Sequence, residues 1–125
     1  MTFRASFCHP FQPAPFELGA ISKEEIIDAF NKTPWQNYLN EMAAADESSI
    51  CFSPSLEIEW IEERAGLCFS AVAETTGYSF IVFFKRPKAN REYISEIADQ
   101  TTADALELLN AFISGHLALL EEKIK

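Results

Sequence analysis

The stretch from Leu56 to Pro87 constrains this chain most, because it alternates as pleated strands do and is interrupted at short intervals by glycine. Three strands are predicted, Leu56–Arg64, Leu67–Thr76 and Tyr78–Arg86, separated at Ala65-Gly66 and Thr76-Gly77. In the first, Leu56, Ile58 and Trp60 share one face while Glu57 and Glu59 share the other, so one face is wet. The second alternates Leu67, Phe69, Ala71 and Ala73 with Cys68, Ser70, Val72 and Glu74, leaving small residues where a helix fits closely. The third, from Tyr78 through Phe84, is apolar on both faces and belongs in the middle of a sheet. Gly66 and Gly77 supply the positive backbone dihedral that a tight hairpin requires, which makes the sheet an antiparallel meander.

What flanks this stretch completes the fold class. Ser22 followed three residues later by Glu25 is a capping box, with Ile26, Ile27 and Phe30 giving the helix an apolar side. Thr33-Pro34-Trp35-Gln36 is a second helix start, carrying Trp35, Tyr38, Leu39 and Met42 at helical spacing. Thr101 or Thr102 caps a long final helix whose stripe includes Leu106, Leu109, Ile113, His116 and Leu120. Glu92–Ala98 fits a fourth strand and a short helical turn almost equally. Residues 1–21, cut by Pro10, Pro13 and Pro15 yet rich in phenylalanine, are expected as an irregular segment packed on the domain, with Thr2–Phe7 a candidate edge strand. The expectation is a single α+β domain over residues 1–125. It is a two-layer sandwich in which a three- to four-stranded antiparallel meander packs against an N-terminal helical unit and the C-terminal helix.

Chemistry is harder to find. The chain has no Gly-x-Ser-x-Gly elbow, Walker loop or dinucleotide fingerprint, and it has only four glycines. Cys8-His9 sets a thiol beside an imidazole, but sequence neighbours in an extended segment point apart. His116, on an apolar stripe, reads as a core histidine. Cys8, His9 and His116 together make a poor metal set, and Cys8, Cys51 and Cys68 have neither metal nor disulfide spacing. No cofactor, no metal and no enzymatic activity are expected. The odd cysteine count, the lack of an apolar leader after Met1 and the lack of a run of about 20 apolar residues point to a cytoplasmic protein off the membrane.

The net charge of −9 disfavours nucleic acid and suits a basic protein partner. Glu57, Glu59, Glu62 and Glu63 form the candidate recognition strip, with Trp60 or Tyr78 as an aromatic anchor. Lys85, Arg86, Lys88 and Arg91 form a basic loop that is either an anion site or a partner contact, or else a solvated hairpin tip. The expected function is that of a small acidic protein that neutralises or holds a basic partner. An immunity protein for a toxin and a secretion chaperone share this general character. The competing expectations are a ligand-binding or enzymatic pocket between helix and sheet, and a homodimer subunit; the chain itself fits a monomer or a homodimer.

Overall fold

The computed structural model describes residues 1–88 and 91–124, with the side chains of 88 and 91–93 outside the description. Six strands form one antiparallel sheet: β1 (Phe3–Cys8), β2 (Phe16–Ile21), β3 (Ser55–Trp60), β4 (Ala65–Ala73), β5 (Tyr78–Lys88) and β6 (Arg91–Gln100). Their spatial order is β2-β1-β3-β4-β5-β6. Helices α1 (Lys23–Lys32) and α2 (Trp35–Ala44) lie between β2 and β3 in sequence, and α3 (Thr102–Ile113) and α4 (Leu117–Lys123) follow β6. The α+β class and the antiparallel meander are as expected, and of the two alternatives for Glu92–Ala98 the chain forms the strand, β6. The sheet has six strands rather than three or four.

The two extra strands come from the N-terminal segment. Residues 3–21 are not an irregular apron but a hairpin, with Phe3 opposite Ile21 and Phe7 opposite Phe16. Pro10, Pro13 and Pro15 all fall in the loop of this hairpin, where a missing amide costs no ladder bond. Strand β1 is interior, not an edge, because its other side pairs with β3 from Phe3↔Trp60 to Cys8↔Ser55. Strand β5 is interior as predicted but lies one strand from the β6 edge rather than at the centre.

All four helices contribute to one apolar core on one face of the sheet. Phe3 and Ala5 of β1, Leu56 and Ile58 of β3, Leu67, Phe69 and Ala71 of β4, and Phe80, Val82 and Phe84 of β5 are buried there with helical residues from Ile26 to Leu120. Its centre is aromatic: the Phe30 ring lies 5.2 Å from Phe69 and 5.3 Å from Phe80, and Trp35 meets Phe80 edge-on at 5.1 Å. The Trp35 indole N–H donates to the Phe30 carbonyl at 3.1 Å, which satisfies it in the core.

Local signals hold where a cap is self-contained. The boxes Ser22/Glu25 and Thr101/Asp104 both form with reciprocal bonds. The Thr33/Gln36 start does not: Thr33 Oγ1 donates to the Ala29 carbonyl, Gln36 pairs with Asn40, and α2 begins without a side-chain cap. The long last helix is broken at Gly115, whose φ of +83° lies in the left-handed region. His116 is therefore exposed at the start of α4 instead of buried on a stripe. Gly66 lies within β4, and the positive φ of that turn falls on Arg64 at +53°; Gly77 turns as predicted.

Phe80→Ala should cost about 3–5 kcal/mol of unfolding free energy, since it empties the centre of the aromatic cluster. Thr101→Ala should cost about 1 kcal/mol. Urea unfolding of both variants checks the ranking.

Candidate functional site

With the helices on one side, the opposite face of the sheet is bare among the described residues, and its side chains follow from register. One row runs Arg4, Glu59, Gly66, Lys85, Ile94 across β1, β3, β4, β5 and β6. The next runs Glu17, Ser6, Glu57, Cys68, Phe83, Glu96 from β2 to β6. The β2-β1-β3 half is thus polar and charged. The other half carries Phe83, Ile81 and Val72, all half-buried, and Ile94, which is 65% exposed.

Glu57 and Glu59 lie together on this face as predicted, where they line two neighbouring depressions. One, of about 370 Å³, also has Arg4, Ser6, Pro15 and Glu17 in its wall. The other, of about 200 Å³, has Arg64, Gly66 and Lys85. The glutamates are accordingly flanked by cations on both sides, a mixed-charge surface that sequence spacing along one strand had no means of showing. The excess negative charge sits mainly on the other layer: segments 22–50 and 101–124 hold ten carboxylates against Lys23, Lys32 and Lys123.

The other predicted strip residues do not join them. β3 ends at Trp60, so Glu62 and Glu63 lie in the turn to β4 and not on the strand face. The Thr2 amide donates to Glu62 Oε1 at 2.6 Å, and hydrogen bonding from the Thr2 side chain, reinforced by this amide, holds the Glu62 carboxyl down at about 2 from its usual 4.5. Trp60 and Tyr78 face the helices. The Trp60 ring lies beside Phe3 at 6.1 Å and under Gly115, with its indole nitrogen buried and unpartnered among the described residues. Tyr78 sits at the far end of the sheet, edge-on to Phe80.

The basic loop is also divided. Lys85, Arg86 and Pro87 belong to β5, whose alternation sends Lys85 to the bare face and Arg86 to the helical side. Arg86 is committed to Glu121 of α4 at 3.0 Å. The side chains of Lys88 and Arg91 lie outside the described residues, as do Ala89 and Asn90.

The thiols and imidazoles do not assemble. Cys8 opposes Ser55 on the bare face, and Cys68 opposes Glu57 there. Burial, reinforced by the Glu57 carboxylate and then by Cys8, pushes the Cys68 thiol up to about 12; Cys8 is raised by burial and by Glu57. His9 follows the end of β1, where its Nδ1 accepts from the Phe11 amide at 3.1 Å and its ring meets Tyr38 edge-on at 4.9 Å. His116 lies next to Gly115, near Met1 and so at the opposite end of β1, roughly 20 Å away along a six-residue strand. Among the described residues no group of three or more His, Cys, Asp or Glu is placed to hold a metal.

Two further depressions lie elsewhere, the second between helix and sheet, where a pocket was a competing expectation. One of about 380 Å³ is lined by Phe7, His9, Gln12, Ala14, Pro15 and Phe16 on the loop side of β1 and β2. The other, about 540 Å³ and mostly apolar, lies between α2 and the end of β4 around Leu39, Met42, Ile50 and Ala71. The lining of neither was legible, because each depends on pairing between distant segments. Among the described residues no helix is long and apolar enough to cross a membrane. The chain matches no protein-family model, no curated protein and no solved structure.

Glu62→Gln gives a pH test. A carboxyl whose folded pKa is lowered contributes stability above its unfolded value and loses it as pH falls toward 2, so the acid limb of the wild-type stability curve between about 4.5 and 2 should be flatter in the variant. Alkylation at pH 8 should modify exposed Cys51 first and Cys68 last, as mass spectrometry of timed digests will show.

Proposed function

We propose that this chain is a protein-binding protein that holds or neutralises a basic partner, docking it on the bare face of the sheet. One observation carries the reading: four helices cover one face, while the other sets an apolar patch, Phe83, Ile81 and Ile94, across strand β4 from Glu57 and Glu59. Apolar contact area bordered by desolvatable charge is the arrangement from which binding hot spots are built. The two electrostatic roles are separable. The carboxylates of the helical layer raise the rate of encounter with a cationic protein, and Glu57 and Glu59 meet its lysines or arginines at the contact.

The test compares two variants of equal net charge. Glu57→Lys with Glu59→Lys changes the bare face; Glu41→Lys with Glu47→Lys changes the helical layer by the same amount. Tagged forms are used to retain partners from the native host at low and moderate salt, and the affinity of the retained protein is then measured with purified components. The bare-face pair should weaken the complex by about ten-fold or more, mainly through faster dissociation, and the helical pair should act mainly on the salt-dependent association rate. Equal losses in both would reduce the effect to overall charge and remove the docking face. Phe83→Ala should weaken the complex without altering its salt dependence.

A further inference from the structure

The sheet has an open edge at β2, and its two sides are unlike. No described strand pairs with the outer edge of Phe16–Ile21, so that edge is open to a seventh strand. Natural edges are usually guarded by lysine or proline within the strand. β2 has neither between Phe16 and Ile21; its one charge is Glu17, and it exposes Phe16 to 66% and Leu18 to 38%. Its guard is a bulge: Ala5 opposes Gly19 and Ser6 opposes Glu17, leaving Leu18 as the extra residue, with Gly19 at φ +72°.

Alternation divides what lies on either side of the edge. Glu17 shares the bare face with Ser6 and forms the rim of the depression that contains Glu57 and Glu59. Phe16 shares the helical side with Phe7 and forms the rim of the depression lined by His9, Ala14 and Pro15. Pro15 lies in both walls, so the two depressions meet at the start of β2. His9 is fixed there, because its Nδ1 already accepts from Phe11; the neutral ring then carries its proton on Nε2 as a donor.

From this juxtaposition we infer that the β2 edge takes an extended segment of the basic partner as an added antiparallel strand, in which a lysine or arginine toward Glu17 alternates with an aromatic or aliphatic side chain toward Phe16. The inference rests on the proposed function and specifies how the partner engages. Strand addition gives affinity through main-chain hydrogen bonds and specificity through pockets for alternate side chains. Here one set meets Glu17 and the other an apolar, aromatic wall. The bulge confines regular pairing to a few residues on one side of Leu18, which suits a short segment and hinders two copies of β2 from zipping together along their length.

The probe is a synthetic eight-residue peptide alternating lysine and valine, with two N-methylated forms in which the amides of odd or of even residues are blocked. Binding to the full chain is read by amide chemical shifts and by titration. The expected result is that the unmodified peptide shifts the amides of residues 16–21. One N-methylated register should then lose about ten-fold or more in affinity, and the other should bind within about two-fold, since an added strand directs only alternate amides to its partner. Glu17→Lys should abolish the preference for lysine over glutamate in the peptide. Equal binding by both N-methylated forms overturns strand addition, as does absence of binding by the unmodified peptide. If the whole partner still depends on Glu57 and Glu59 in that case, the bare-face reading survives and only the edge mode falls. A doubled mass in solution that Leu18→Lys reverses would assign the edge to a second copy and overturn the proposal.

Discussion

Every other feature of this molecule depends on the helical side of the sheet being apolar in each interior strand. Phe69 and Phe80 hold the centre, and Phe30 and Trp35 come down on them from the two helices that interrupt the sheet in sequence. Burial of aromatic surface of this kind is the main favourable contribution to folding, and it is one-sided here. Because a strand sends alternate residues to opposite faces, satisfying the core on one side releases Arg4, Glu57, Glu59, Phe83 and Ile94 from any packing duty on the other. The bare face is therefore a by-product of the core that recognition is able to use.

Charge in this chain has a far and a near component, and their separation is visible only in three dimensions. Taken as a total, −9 describes an acidic protein. Resolved by layer, the acidity is concentrated on the helices and their loops, whereas the central glutamates of the sheet stand between Arg4 on one side and Arg64 and Lys85 on the other. A mixed pattern of this sort is poorly suited to attracting any cation at long range. It is better suited to setting the register of a partner already in place, since misplaced like charges are penalised.

What was legible in the sequence was what neighbouring residues decide. The caps at Ser22 and Thr101, the turn at Gly77 and the alternation of β3 to β6 each depend on contacts within a few positions. The N-terminal hairpin was not legible because its prolines resemble breakers until β1 is seen paired with β3, far away in sequence. Trp60 was expected as the aromatic anchor of the glutamate strip and instead lies beneath Gly115, on the helical face that its alternation with Leu56 and Ile58 gives it. His116 lost its place on a stripe when one left-handed glycine divided the helix. Of the candidate site, Glu57 and Glu59 were found from alternation alone. Their neighbours Arg4, Glu17 and Lys85 came from other strands, and no spacing along one segment encodes a row across a sheet.

The pairing of β1 with β3 also sets the order in which the molecule is completed. β3 to β6 follow one another at short intervals in the chain and assemble through local contacts, whereas β1 meets β3 across about 50 residues, a separation that slows folding through the entropy of closing the loop. Residues 3–21 precede β3 in the chain, so the contacts that place β1 inside the sheet span α1 and α2. Closing that long loop seats β1 against β3 and leaves β2 as the outermost strand.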